Sequence, residues 1–295
     1  MIDAFVPWFG SKRTEAVDIV LQLGPHKFFL DPFCGSCAVL LHKPPSRTEL
    51  ISDLHGDLIN LAMVLASNHY TDLYERLRRV LFTEPMLLEA NRQVSVPLEG
   101  TLLGVPASPD TVGVEHLMRA YWYFVSSWFG RNGMAGTTKA RSTMCIRFTC
   151  GGGDPATRAR SAVASIPDWH ERLRRPTICR RDGFKLLERV KDVAGLAIYV
   201  DPPYLKKGAR YLHDFDPAKH ERLAVVLTRF QHARVVVSYY DDQKLLRLYP
   251  PRRGNRGWTK ISKPMTKNLA AQSQRDGSNR VVAPEVLLIN GPVFK

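Results

Sequence analysis

The chain has 295 residues, of which 44% are hydrophobic and 24% are charged, with 20 Gly and 20 Pro. This composition is typical of a globular protein and excludes collagen, a coiled coil and a disordered chain. The charge is unusual, because 42 Lys and Arg residues against 28 Asp and Glu residues give a net charge of +14. An excess of this size predicts a polyanionic partner, either nucleic acid or an acidic membrane surface.

The cysteines and the N-terminus favour a protein that works inside the cell. Five cysteines at irregular spacing do not form the disulfide framework of a secreted protein. Cys34 and Cys37 have the spacing of half a zinc site, but no second pair matches it, so we expect buried thiols and no metal. No segment approaches the roughly 18 apolar residues that span a membrane, and no signal peptide is evident. We therefore expect a soluble, cytoplasmic protein that binds no membrane.

A β-α-β-α order opens the chain. The predicted elements, in chain order, are a helix over Ser11–Leu23 with Ser11 as its N-cap, a strand over Lys27–Asp31, a helix that starts at Cys37, a strand over Glu49–Asp53 and a helix over Leu58–Leu65. This alternation is typical of a doubly wound parallel sheet.

The pattern changes between residues 70 and 175 and then returns. The middle segment predicts helices at Leu73–Leu81, Val114–Trp128 and Ala156–Leu173, separated by long loops, and no buried strand. Strands are predicted again at Thr177–Cys179, Gly195–Asp201, Arg234–Ser238 and Pro284–Ile289, with a helix over Pro217–Phe230. We predict an α/β fold with a doubly wound, mainly parallel sheet formed by residues 1–69 and 176–295. Residues 70–175 would form a helical, loop-rich insertion domain.

The excess charge is concentrated in two segments. Arg131–Arg181 holds 11 basic and 3 acidic residues, and Lys244–Arg280 holds 10 basic and 1 acidic residue. We predict that both segments contain loops that could follow a phosphate backbone, with aromatic side chains that could stack on bases. Those aromatic residues are Trp128, Phe129, Phe148, Trp169 and Trp258.

Four acidic residues stand at or just past the ends of predicted strands: Asp31, Asp53, Asp182 and Asp201. In a doubly wound sheet those strand ends share one rim, where ligands bind. Several carboxylates there would receive hydrogen bonds from a ribose diol, an adenine amino group or an ammonium group. The glycine-rich dinucleotide fingerprint is absent, because the first turn has only Gly35. A nucleoside cofactor without phosphates is therefore favoured.

The sharpest motif is Asp201-Pro202-Pro203-Tyr204, which follows a predicted strand. The prolines fix the backbone, so that the Asp201 carboxylate and the Pro202 carbonyl can face one exocyclic amino group. Tyr204 offers a ring face for a base. The alternative is an ordinary rigid turn with an incidental aromatic residue.

Five motifs in order make the chain resemble the Dam-like (D12 class) DNA adenine-N6 methyltransferases, a family with a Rossmann-like methyltransferase fold that uses S-adenosylmethionine. The motifs are Pro7–Arg13, Asp31–Cys37, Ser52–Asn60, Arg181–Phe184 and Asp201–Tyr204. One departure is Cys37, which stands where the family usually has a second glycine or another small residue.

The resemblance implies a role for each matching residue. Trp8 and Lys12 would hold the methionine end of the cofactor, with Asp31 near its ammonium group. Gly35 would let the backbone approach the cofactor, Asp53 would accept from the ribose hydroxyls, and Asp182 would accept from the adenine. Phe33 and Phe184 belong to the same cofactor motifs. The full cofactor set is Trp8, Lys12, Asp31, Phe33, Gly35, Asp53, Asp182 and Phe184, and the catalytic set is Asp201, Pro202, Pro203 and Tyr204.

The implied reaction transfers a methyl group from S-adenosylmethionine to N6 of an adenine flipped out of double-stranded DNA, in a specific sequence. The family's recognition residues cannot be carried over, because the match near Asn132 is loose. Candidate DNA contacts are Arg131, Asn132, Lys139, Arg141, Arg147, Lys263 and Lys267. The alternatives are an N4-cytosine or RNA base methyltransferase on the same fold, and a non-catalytic DNA-binding protein that has retained it.

Overall fold

A seven-stranded sheet forms the centre of the part of the chain that the computed structural model describes, which is residues 4–8, 10–130, 143–144, 154–205, 213, 215–252, 257–263 and 285–292. The strands are β1 (Phe28–Asp31), β2 (Thr48–Ser52), β3 (Thr177–Cys179), β4 (Leu196–Val200), β5 (Arg234–Tyr240), β6 (Thr259–Lys263) and β7 (Glu285–Asn290). Their spatial order is β3-β2-β1-β4-β5-β7-β6.

Strands β1 to β5 are parallel, and β7 is antiparallel to both of its neighbours, β5 and β6. The chain thus winds outward from β1 to β3 on one side, and then from β4 to β5 on the other. Helices cover both faces of the sheet, as parallel strands require. This is the Rossmann-like methyltransferase fold, so the predicted fold class is confirmed.

Eleven α-helices lie in the described residues: α1 (Ala16–Leu23), α2 (Ala38–His42), α3 (Gly56–Ala66), α4 (Tyr70–Leu77), α5 (Glu84–Gln93), α6 (Val114–Phe129), α7 (Pro155–Ala164), α8 (Ile166–Leu173), α9 (Gly183–Arg189), α10 (Pro217–Thr228) and α11 (Lys244–Leu248). Two short 3-10 turns, Leu98–Gly100 and Pro109–Thr111, lie between α5 and α6. None of the helices described here is long and apolar enough to cross a membrane.

Helix α3 joins the sheet to the helices of residues 70–175. Every residue of α3 is buried, including Asp57 and Asn60. Asp57 forms an ion pair with Arg119 of α6, at 2.5 Å from Nε to Oδ1, and Asn60 donates to the His116 carbonyl at 3.0 Å. The described helices α4 to α8 therefore share one hydrophobic core with α3 and with the side chains on one face of the sheet.

Several predicted boundaries are wrong. Helix α1 begins at Ala16, not at Ser11, because Ser11 is hydrogen-bonded to Ser36 and Lys12 turns into the sheet rim. The single helix predicted over Ala156–Leu173 is two helices that meet at Ser165, since Pro167 has no N–H to continue the first. Helix α4 ends at Leu77 rather than Leu81, and α5 was not predicted.

The basic segment Lys244–Arg280 is not the loop that we predicted throughout, because α11 and β6 both lie within it.

The aromatic residues predicted to stack on bases are mostly core residues. Trp128, Phe129, Trp169 and Trp258 are buried, since each packs among the apolar residues of one of the two cores. They are not available to stack on bases. Phe148 lies outside the described residues.

Candidate functional site

A cavity of about 370 Å³ opens at the carboxyl ends of the parallel strands. Asp31 ends β1, Asp53 follows β2, Asp182 precedes α9 just beyond β3, and Asp201 follows β4. All four carboxylates line the cavity, as expected for residues at one rim of a parallel sheet. The cavity is also lined by the five remaining cofactor candidates and by both prolines of the tetrapeptide: Trp8, Lys12, Phe33, Gly35, Phe184, Pro202 and Pro203.

The turn after β1 forms one wall. Gly35 has a φ of 45°, and a Cβ placed on it would come within 3.0 Å of the Trp8 indole nitrogen. The indole therefore packs directly on the glycine backbone, which a side chain would prevent. The Gly35 N–H donates to Asp53 at 3.0 Å, and the Cys34 N–H donates to the Ser52 carbonyl at 2.9 Å. These bonds fasten the turn to the end of β2.

Cys37 adopts the left-handed conformation, with a φ of 57°, immediately before α2. Left-handed backbone favours glycine, which accounts for the small residue usual at this position in the resembled family. Cys34 and Cys37 are both buried free thiols, as predicted. A hydrogen bond with Cys37, and then burial, raise the pKa of the Cys34 thiol well above its ordinary value, so it remains protonated. Within the described ranges, no group of three or more His, Cys, Asp or Glu side chains is arranged to hold a metal.

Asp31 is the most deeply buried of the four acids, with 1% of its surface exposed. Burial raises the pKa of its carboxyl well above the ordinary value, and the negative charges of Asp201 and Asp53 add to the effect. The Phe33 N–H opposes this by donating to Asp31 at 3.3 Å. A cationic group at this position would favour the ionised form of Asp31.

Three phenylalanines form an aromatic wall beside Asp182. Phe184 and Phe215 are stacked, with ring centroids 5.4 Å apart, and Phe33 meets Phe215 edge-on at 5.6 Å. The Asp182 Oδ1 atom caps α9 by accepting from the Phe184 N–H at 2.8 Å. Phe215 was not among the predicted site residues, although its aromatic type and its place after the tetrapeptide could have suggested it.

The tetrapeptide is connected to the N-terminal segment through Lys12. The Lys12 ammonium donates to Asp201 Oδ2 at 2.7 Å and to the Gly10 carbonyl at 2.8 Å, and only 3% of the residue is exposed. The role implied for Lys12 is to hold the methionine end of a cofactor. Lys12 lines the cavity, and its ammonium contacts the catalytic candidate Asp201 at the cavity edge.

Tyr204 does not line the cavity and contacts a residue that the sequence did not single out. Its hydroxyl donates to Glu285 Oε1 at 2.5 Å, and its ring packs edge-on against Tyr240 at 4.4 Å. Burial, with the charges of Asp201 and Glu285, raises the pKa of Tyr204 well above its ordinary value. The phenol is therefore neutral and acts as a donor. Glu285 is the first residue of β7, 81 positions after Tyr204, so no local sequence pattern could predict this contact.

The candidate DNA contacts lie almost entirely outside the described residues, where Arg131, Asn132, Lys139, Arg141, Arg147 and Lys267 fall. Lys263 is the exception. It ends β6 at the sheet edge and is paired in register with Glu285. Of the candidate DNA contacts, the structure therefore locates only Lys263, at this end of the second basic segment.

Comparison with solved structures gives several distant similarities, of which two are described. One is SMU.472, described as an inferred methyltransferase complexed with SAH, at 10% identity and a TM-score of 0.35 over 96% of this chain and 54% of that chain. The other is a mutant of MtNAS, at 14% identity and a TM-score of 0.18 over 44% of this chain and 42% of that one. The chain thus spans about half the length of the first structure. No curated protein matches the chain.

A family comparison covers the N-terminal part of the site. The matching residues, 8–91, include Trp8, Lys12, the turn from Asp31 to Cys37, and Asp53, whereas the tetrapeptide lies beyond them. The model that matches is that of the D12 class N6 adenine-specific DNA methyltransferases, which confirms over these residues the resemblance predicted from the sequence.

Proposed function

We propose that this protein is a DNA methyltransferase that transfers a methyl group from S-adenosylmethionine to N6 of an adenine flipped out of double-stranded DNA. The observation that carries the proposal is the single cavity at the strand ends, which is lined by all eight cofactor candidates and bordered by Asp201. The match of residues 8–91 to the adenine-specific family supports it.

The residues around the cavity fit S-adenosylmethionine. The aromatic wall of Phe33, Phe184 and Phe215 suits an adenine ring, and Asp53 lies where a ribose diol would be bound. Asp31 is a buried carboxylate that a cationic ammonium group would stabilise. Among the described residues that line the cavity, the glycines are Gly35 and Gly183, which are far apart in the chain and form no glycine-rich phosphate loop. This agrees with a cofactor that has no phosphates. When bound, this cofactor supplies a methyl group on a positively charged sulfur.

The tetrapeptide would hold the amino group that receives the methyl. The Asp201 carboxylate and the Pro202 carbonyl are acceptors at the cavity edge, and Pro202 is buried. Hydrogen bonds from N6 to these two acceptors would orient the nitrogen and increase its electron density. Orientation and fixed electrostatics of this kind provide much of the rate enhancement in enzymes. No covalent bond to the protein is needed.

DNA is the partner that the charge favours. Flipping a base costs a few kcal/mol, and stacking on an aromatic ring returns about 1–3 kcal/mol per base. We assign this stacking to Tyr204. We assign cofactor binding and catalysis to residues 1–69 and 176–295, and target recognition to residues 70–175. On this assignment, the protein acts inside the cell in association with DNA.

The Asp201→Ala variant tests the proposal. Loss of the carboxylate removes one of two acceptors for N6, so we expect methyl transfer to DNA to fall at least about a hundredfold. Transfer is measured with labelled S-adenosylmethionine, and cofactor affinity and thermal unfolding are measured on the same samples. The control is Glu221→Ala, which removes a surface carboxylate on α10, outside the cavity, with 60% of its side chain exposed. Full activity in the Asp201 variant would contradict the assignment.

A further inference from the structure

Glu285 is a buried carboxylate next to the tetrapeptide that the proposed mechanism does not use. It is the first residue of β7, where it is paired with Tyr240 of β5 and Lys263 of β6, and 2% of its surface is exposed. It does not line the cavity. A buried carboxylate is expensive unless it is paired, so its partners indicate what it does.

Glu285 contacts two residues of the candidate site, Tyr204 and Lys12. Its Oε1 atom accepts from the Tyr204 hydroxyl at 2.5 Å and lies 3.4 Å from the Lys12 ammonium. The same ammonium donates to Asp201 Oδ2 at 2.7 Å. Lys12 therefore lies between two carboxylates, one in the tetrapeptide and one on β7.

The contact with Tyr204 restrains the ring proposed to stack on the target base. The Lys12 ammonium lies 5.0 Å from the centroid of this ring, and Tyr240 packs against it edge-on. The hydroxyl at the far end of the ring is held by Glu285. Because the ring is fixed at its edge and at its hydroxyl, little of its rotational freedom remains to be lost when a base stacks on it.

The contact with Lys12 affects the acceptor strength of Asp201. An ammonium that is paired with Asp201 alone would draw electron density from the carboxylate that has to accept from N6. Glu285 provides a second negative charge at 3.4 Å from the same ammonium. The ammonium thus interacts with both carboxylates. It still holds Asp201 in its orientation, but it draws less electron density from the Asp201 carboxylate than it would in a pair with Asp201 alone.

We infer that Glu285 is a positioning residue for methyl transfer, which fixes Tyr204 through its hydroxyl and Asp201 through the Lys12 ammonium. This inference rests on the proposed function. It adds a residue from the far end of the chain to a site otherwise built from the tetrapeptide and the N-terminal segment.

The test is a double-mutant cycle on the full chain. The variants are Glu285→Gln, Tyr204→Phe and the double variant, and the probe is DNA without adenine methylation together with labelled S-adenosylmethionine. Single-turnover rates at saturating DNA and cofactor are measured. We expect Glu285→Gln to lower the rate about tenfold or more, because the amide accepts more weakly from the Tyr204 hydroxyl and cannot balance the Lys12 charge. In the Tyr204→Phe background the loss is smaller, because the shared hydroxyl contact has already gone.

Two further measurements separate positioning from folding. Binding of the demethylated cofactor, measured by calorimetry, is expected to stay within about twofold of wild type, because Glu285 is outside the cavity. The matched control is Glu49→Gln, which removes another buried strand carboxylate paired with a lysine, Lys43. The control is expected to lose stability but to keep its single-turnover rate.

The outcomes are distinct. A wild-type rate in Glu285→Gln, or rate losses that simply multiply in the double variant, overturns the positioning role while leaving the proposed function in place. A rate loss in Glu49→Gln equal to that in Glu285→Gln also overturns it, since the effect would then reflect stability alone. If the wild-type protein transfers no methyl group to DNA, the proposed function fails and this inference fails with it.

Discussion

Gly183 is the point where the backbone of α9 comes closest to the aromatic wall of the cavity. A Cβ on this residue would lie 2.5 Å from Phe33 Cζ and 2.9 Å from the Pro32 carbonyl oxygen. The phenyl ring could turn away, but the carbonyl belongs to the turn that ends β1. Overpacking of this kind typically costs about 1–3 kcal/mol. The better helix propensity of alanine offsets this cost by less than about 1 kcal/mol.

The Gly183→Ala variant should therefore lose about 1–2 kcal/mol of unfolding free energy, which in a chain of 295 residues lowers the unfolding temperature by roughly 2–3 °C. Cofactor affinity should fall as well, because Phe33 and Asp182 both border the cavity that the displaced ring would enter. Thermal unfolding and calorimetric titration with the demethylated cofactor measure the two effects.

The matched control is Gly113→Ala, at the start of α6. There the nearest atom to an added Cβ is His116 Nδ1 at 3.8 Å, which is ordinary contact. We expect its stability to change by less than about 1 kcal/mol and its cofactor affinity to stay as in wild type. Equal cofactor affinity in wild type and Gly183→Ala would refute the reasoning, because it would show that the aromatic wall tolerates displacement.

Two further changes test the electrostatics of the site and of the second basic segment. Because the pKa of Asp31 is raised in the folded protein, its contribution to stability is present at low pH and is lost as pH rises through the folded-state pKa. The Asp31→Asn variant should therefore raise the unfolding temperature more at pH 8 than at pH 4, while weakening S-adenosylmethionine binding. An equal shift of the unfolding temperature at both pH values would contradict this. Replacing Lys263 and Lys267 with Gln should reduce the slope of log K against log salt for DNA binding by about 0.9 per lost phosphate contact. The matched change of Lys27 and Arg47, two exposed cations just before β1 and β2 at the end of the sheet opposite the cavity, should leave the slope unaltered. Equal slopes in all three proteins would argue against DNA contact by Lys263 and Lys267.

The arrangement of the cavity could be predicted because it depends on a regular rule of topology. Asp31, Asp53, Asp182 and Asp201 are far apart in the chain, but each follows a parallel strand, and parallel strands end at one rim. Gly35 could be predicted for a related reason, since the turn after β1 has to bring the backbone close to its neighbours.

The rest of the site depends on contacts between distant segments. Ser11 looks like a helix cap, but its hydroxyl is bonded to Ser36, and the turn that follows sends Lys12 to Asp201. Glu285 could not be predicted, because its proximity to Tyr204 arises from the pairing of β7 with β5. Trp169 was misjudged for the opposite reason, since charged neighbours on α8 hide the fact that its own side of the helix is buried.

The central claim is the chemistry at N6 of adenine in DNA, and nucleoside mass spectrometry tests it most directly. Unmethylated DNA and RNA are each incubated with S-adenosylmethionine and the wild-type protein, and then digested to nucleosides. The account predicts N6-methyldeoxyadenosine in the DNA and none after incubation with the Asp201→Ala variant. N4-methyldeoxycytidine in the DNA, methylated bases in the RNA alone, or no methylated nucleoside in either would contradict it.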